Sequence, residues 1–153
     1  MEQKIIFARR RKKEAGGAMP YIPDETIEQP NLYSPLTLAF VGDGVYELYV
    51  RTRLMQKGNL QANKLHKLAI HYVKAAAQAG SIHAILDKLS EEEIAVYKRG
   101  RNAKSATVPK NADVAQYRMA TGFEALLGFL YLSGRAERLR EVMTLAFEAA
   151  QEQ

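Results

Sequence analysis

Cysteine is missing from the 153-residue sequence, which excludes disulfides, thiolate zinc sites and a cysteine nucleophile and leaves no sign of an oxidising compartment. Histidine is scarce: His66, His71 and His83 stand at none of the spacings, such as His-Glu-x-x-His, by which a helix presents two imidazoles to a metal, so packed or surface roles are expected. Long apolar runs are lacking, and nothing reaches the roughly 18 residues of a membrane span. The N-terminus carries Arg9 to Lys13 where a secretory signal would need an apolar core and a cleavage site. The expectation is a soluble, cytoplasmic protein. Internal repeats are absent, and no alternating pattern persists long enough to compete with helix, so the fold class expected is all-α with six or seven helices.

What is present is a globular composition, 47% hydrophobic, in a length suited to one domain. Lys and Arg number 22 against 17 Asp and Glu, a net +5 with a sequence pI near 9.4, a mild argument for a polyanionic partner. Residues 1–31 combine the basic cluster, Gly16-Gly17 and Pro20, Pro23 and Pro30, and read as a mobile arm ahead of a domain over 32–153. Arg9 to Lys13 would touch RNA phosphates or form a solvated tail; Met19 could equally begin a chain.

Ser34-Pro35 opens a helix and Gly58 closes it. Within it Leu36, Ala39, Phe40, Gly44, Leu48 and Leu54 give an apolar period, while Asp43, Glu47 and Arg51 align at i, i+4 and i+8. A second helix is expected over 61–79, broken at Gly80, then another over 81–89. Ser90-Glu91-Glu92-Glu93 forms a capping box for a helix to about Arg99. Asn111 or Asp113 starts a long helix to Ser133, with Val114, Tyr117, Ala120, Phe123, Leu126, Leu127, Leu130 and Tyr131 as its core face. Gly134 ends it, and a final amphipathic helix runs over 135–151.

Two carboxylates stand out. Asp43 lies between two glycines in an otherwise apolar run, and Glu124 sits among Phe123, Ala125 and Leu126 with Gly128 one turn on. Gly in a helix interior costs about 1 kcal/mol relative to Ala, and an unpartnered buried carboxylate costs more. Either the glycines admit a neighbouring helix or they leave room for an ion and a substrate. Two such acids could share a divalent cation that prefers oxygen ligands, lowers the pKa of bound water and stabilises a phosphate in flight; or each could pair with an Arg or cap a backbone group. Between them lies a run in which Lys98, Arg99, Arg101, Lys104 and Lys110 sit among Gly100, Asn102, Ser105, Thr107, Pro109 and Asn111. It reads as a loop that touches nucleic-acid phosphates, the alternative being a plain connector.

Phe40-Val41-Gly42-Asp43-Gly44-Val45 resembles the signature helix of the ribonuclease III family, and Phe123-Glu124-Ala125-Leu126-Leu127-Gly128-Phe129-Leu130-Tyr131-Leu132 resembles its second catalytic helix. Arg99-Gly100-Arg101-Asn102-Ala103-Lys104 with Pro109-Lys110-Asn111 is similar to the short bacterial branch, Mini-ribonuclease III, over about residues 32–150. The resemblance implies a homodimeric endonuclease domain that cleaves double-stranded RNA with Mg2+, with Asp43 and Glu124 as catalytic metal ligands. It implies a 5′-phosphate and a 3′-hydroxyl as product ends. Glu47 would orient a water or pair with Arg51, and Lys98, Arg99, Arg101, Asn102, Lys104 and Lys110 would hold RNA. It points to maturation of the 23S ribosomal RNA precursor, with a large-subunit ribosomal protein as a further partner. Leu36, Ala39 and Thr121 stand where longer members carry further acids, which lowers the ligand count. A ribosome-associated RNA-binding protein of the same fold without catalysis is the alternative. A helix-turn-helix DNA-binding regulator would need a short basic recognition helix, and none is evident.

Overall fold

The computed structural model describes residues 7–8, 26–105 and 107–153. Among them are six α-helices: α1 (Pro35–Met55), α2 (Ala62–Val73), α3 (Ala75–Ile85), α4 (Glu91–Asn102), α5 (Val114–Leu132) and α6 (Ala136–Gln151), with 3-10 turns at Pro30–Leu32 and Leu86–Lys88. A two-residue antiparallel pairing joins β1 (Phe7–Ala8) to β2 (Thr26–Ile27), a feature too short to leave a periodic signal. Ile27 packs against the core and Pro30 is buried. The arm expected over 1–31, with its basic cluster at Arg9 to Lys13, lies largely outside the described residues.

The helix ends follow their local chemistry. Pro35 occupies the first turn of α1, where its missing N–H has no bond to lose. Ser90 accepts from the Glu93 backbone N–H while Glu93 accepts from that of Ser90, closing the capping box on α4. Asp113 caps α5 through the Gln116 backbone N–H, 3.1 Å away. Gly134, at φ 71, takes the left-handed position after α5.

The break expected at Gly80 falls instead at Lys74. That residue is extended (ψ 151) and separates α2 from α3, while Gly80 lies inside α3. Buried Gln78 explains how the break is tolerated: its side-chain amide donates to the freed Val73 carbonyl at 2.9 Å. A Cβ at Gly80 would come within 2.8 Å of the end of the Gln153 side chain, an exposed and flexible group that can turn aside.

The core centres on α5, whose Phe123, Leu126, Leu127 and Leu130 are fully buried among α1, α3, α4 and α6. Each such side chain contributes about 1.5–3 kcal/mol relative to exposure. Tyr46 of α1 packs edge-on to Phe123, and Tyr72 of α2 stacks on Phe147 of α6. Glu93, almost wholly buried, receives two 2.8 Å bonds from Arg138, whose guanidinium also donates to the Lys88 carbonyl, locking α4 to α6.

Two apolar stripes expected in the core are divided between inside and outside. On α1 the buried line is Leu38, Ala39, Gly42, Tyr46, Val50 and Leu54, whereas Leu36, Phe40 and Leu48 are exposed, Phe40 at 81%. The helix is apolar on two faces, and a period alone does not say which of the two the core takes. On α5, Val114 is exposed and Tyr117 half-buried, because the first turn of that helix projects beyond its neighbours toward the preceding loop.

Candidate active site

Asp43 and Glu124 are brought together by two glycines. A Cβ on Gly42 would overlap the Glu124 carbonyl, and one on Gly128 would overlap the Leu38 carbonyl, so α1 and α5 cross with their backbones in contact. On the other side of α5, a Cβ on Gly100 of α4 would stand 2.7 Å from that of Ala125, and one on Gly122 would stand 2.6 Å from the Tyr97 carbonyl. The segment bearing Glu124 is thus held between two close crossings. Gly44 is different: a Cβ there would meet nothing within 4 Å. Close packing accounts for Gly42, and open space surrounds Gly44.

At this crossing Asp43 is exposed and Glu124 half-buried, and the two side chains share a hydrogen bond. Burial, then the Asp43 charge and that hydrogen bond, then the charge of Glu47, push the Glu124 carboxyl up to about 8. Glu47, one turn after Asp43, receives a 3.1 Å bond from Arg51 on the exposed side of α1. Among the described residues no three Asp, Glu or His side chains converge as a ready metal cage. The donors are two carboxylates, with Glu47 close by. This set is hard, oxygen-only and burdened with like charge, which fits a magnesium-sized cation that keeps several waters. Leu36 and Ala39 add no oxygen ligand, and the Thr121 hydroxyl is spent on the Tyr117 carbonyl at 3.0 Å.

The basic run is only partly a loop. Lys98, Arg99, Arg101 and Asn102 belong to the last turns of α4, where cations are favoured by the helix dipole; Lys104 and Lys110 lie in the connection that follows. Arg101 lies over the Tyr97 ring, and its Nε donates to the side-chain amide oxygen (Oδ1) of Asn102. Lys104 lines a groove of ≈ 280 Å³ with Gly100, Tyr117, Arg118 and Thr121, one helical turn from Glu124. Arg99 faces a separate depression bordered by Glu92, Phe129 and Arg135. Sequence reading missed Arg118 and placed Tyr117 in the core. The signal for both was the Asp113 cap, which starts α5 early enough to set its first turns beside the basic run.

The model of the ribonuclease III domain family matches residues 36–135, the span that carries Asp43, Glu124, both glycines of the crossing and the basic groove. The chain belongs to the ribonuclease III family. Its similarity is to the Mini-ribonuclease 3 of Thermoanaerobacter sp. (strain X514), 54% identical over 78% of this chain and 84% of that protein, and of Brevibacillus brevis, 52% identical over 81% and 92%. The Mini-ribonuclease 3 of Symbiobacterium thermophilum is 50% identical over 78% of this chain and 92% of that one. A crystal structure of a protein from Fusobacterium nucleatum superposes with a TM-score of 0.69 at 33% identity, covering 76% of this chain and 93% of that one. Within the family, the branch is therefore Mini-ribonuclease III, and the class of activity is that of a ribonuclease III-type endoribonuclease. No helix among the described residues is long and apolar enough to cross a membrane.

Proposed function

We propose that the chain is a magnesium-dependent endoribonuclease that cuts both strands of double-stranded RNA as a homodimer, in maturation of the 23S ribosomal RNA precursor. The observation that carries this reading is the meeting of Asp43 and Glu124 at the Gly42–Gly128 crossing, with the Glu124 carboxyl pushed up to about 8. Mg2+ bound there supplies activation of a water and stabilisation of charge on the phosphate. The residues themselves do the rest. Asp43, exposed, and Glu124, in its deprotonated form, would hold the cation. The buried backbone behind Glu124 fixes the direction of its side chain. Glu47, paired with Arg51, adds negative potential at one edge. Lys98, Arg101, Asn102, Lys104 and Lys110 hold phosphates, Arg99 joins them from the adjoining face, and Tyr117 and Arg118 complete the groove. A-form RNA presents phosphates and 2′-hydroxyls across a wide, shallow minor groove, so recognition is by shape and charge and is salt-sensitive.

The exposed stripe Leu36, Phe40, Gly44 and Leu48 on α1 supports the homodimer: it recurs every fourth residue, lies beside Asp43, and has open space at Gly44 for another chain. A large-subunit ribosomal protein that presents the precursor, and a cytoplasmic setting, complete the proposal by family likeness. The missing acids at Leu36, Ala39 and Thr121 favour a second reading, a ribosome-associated RNA-binding protein without catalysis. Incubation with duplex RNA in Mg2+, with a chelator control, separates the two. Cleavage of both strands to 5′-phosphate ends, abolished by chelation, is expected; salt-sensitive binding with no cleavage under any divalent cation would establish the second reading.

A further inference from the structure

Positive charge in this chain is unevenly placed. Residues 48–86 contain no Asp or Glu but carry Arg51, Arg53, Lys57, Lys64, Lys67 and Lys74, which leaves 16 cations against 17 acids elsewhere. The chain's whole positive excess thus lies in this stretch, away from the α4–α5 groove. Two of the six are engaged: Arg51 with Glu47, and Arg53 with the Tyr49 hydroxyl and the Phe147 ring. The other four are exposed, and none takes part in the salt bridges found among the described residues.

Helical geometry collects them. Ala69 and Tyr72 are the buried side of α2, and at 100° per residue Lys67 points directly away from it. Lys64, Lys67 and His71 follow one another at i, i+3 and i+7, so they share the outer face as a stripe roughly 10 Å long at 1.5 Å per residue, and Lys74, the extended residue directly after α2, follows three positions later. All four are exposed. Asp43 lies twelve residues before the end of α1, about 18 Å along its axis. A six-residue connection, 56–61, then leads into α2, which packs back against α1. The basic groove at Lys104 and the α2 stripe belong to different elements of the molecule, with α1, the helix that carries Asp43, packed against both α2 and α5.

We propose that the outer face of α2 is a second RNA-backbone site, which holds phosphates of the duplex beyond the base pairs at the cleavage centre. It rests on the RNA-cleaving reading given above and extends it to a surface that the basic run does not include. Charge complementarity favours RNA over a protein partner: the stripe pairs lysines and a histidine with no acid between them, whereas the apolar side chains nearest to it, Leu68 and Ile70, lie to either side. Unpaired lysines spaced along a rod contact a phosphate backbone without reading sequence.

The test uses the full chain with Lys64→Gln, Lys67→Gln and Lys74→Gln together, changes nearly neutral for helix propensity at exposed sites. Cleavage is followed on two duplexes with the same cut site, one trimmed close to it and one extended by about 16 base pairs, the span of two successive minor grooves. On the extended duplex KM is expected to rise about tenfold or more in the variant with kcat unchanged, and on the trimmed duplex neither changes. The slope of log affinity against log salt, measured in chelator, falls by roughly two to three, near 0.9 per lost phosphate contact. Equal KM and equal salt slope for variant and wild type on the extended duplex would overturn the proposal. So would displacement of the wild type, but not the variant, onto an acidic polypeptide with RNA affinity unaltered, which would make the face a protein-binding one. If the wild type cuts neither duplex, the cleavage reading fails, while the salt slope still decides whether α2 holds RNA.

Discussion

Replacing Glu124 by Gln without metal is expected to stabilise the protein, and to do so only at neutral to alkaline pH. The carboxyl is pushed from an ordinary 4.5 to about 8, first by burial and then by Asp43. The folded chain therefore binds more protons than the unfolded chain between those values, and stability declines as pH rises through that window. At 1.36 kcal/mol per pH unit the full decline is ~5 kcal/mol, and partial exposure of the site reduces it to ~3–5 kcal/mol. A glutamine amide carries no charge and donates a hydrogen bond to Asp43, so the decline disappears. At pH 8.5 in chelator the variant should melt roughly 6–20 °C above the wild type, at 2–4 °C per kcal/mol for a domain of this size. At pH 4.5 the two should melt together. Added Mg2+ should then raise the wild type by ~2.7 kcal/mol at a hundredfold excess over its dissociation constant, and the variant by much less. Thermal unfolding followed by circular dichroism across pH, with and without Mg2+, reads all of this. Parallel pH curves for the two proteins, or equal stabilisation by Mg2+, would refute the reasoning.

Other outcomes follow from the same geometry. Gly42→Ala forces a methyl into the Glu124 carbonyl and should cost about 3 kcal/mol or more, seen as a lower urea midpoint, with loss of cleavage even where the fold survives; the same change at Gly44, where a Cβ meets nothing, should leave monomer packing intact. Arg138→Ala strands the Glu93 carboxylate, which Arg138 now holds below its usual range, and should cost ~3–5 kcal/mol by urea unfolding at pH 7. That cost shrinks in acid, as Glu93 protonates and the wild type loses the same stabilisation. Phe40→Asp places a charge on the exposed α1 stripe and should convert a dimer to a monomer by light scattering at micromolar concentration.

Asp43 and Glu124 could be read before the structure because both break local rules: a carboxylate flanked by glycine on an apolar helix is expensive unless something is built around it. Their meeting across 81 positions could not be read from periodicity, since it depends on Gly42 and Gly128 facing each other. The capping residues Ser90 and Asp113 placed α4 and α5 closely, because a cap is a local hydrogen bond. Lys74 shows the opposite case. Its break depends on buried Gln78, four residues later, satisfying a carbonyl, and no propensity reports that, so Gly80 was the natural but mistaken choice. Likewise the two apolar faces of α1 were indistinguishable in sequence. The core chose Leu38, Tyr46 and Val50 and left Phe40 outside. Arg118 escaped notice because it lies next to the basic run only in space.

The most direct measurement is duplex-RNA cleavage in Mg2+ by the wild type and by Asp43→Asn, each first shown to be folded. A metal site shared by Asp43 and Glu124 predicts that the wild type cuts both strands and that the variant, which keeps the shape of the side chain but not its charge, loses at least a hundredfold in rate while still binding RNA. Equal cutting by both proteins would contradict it.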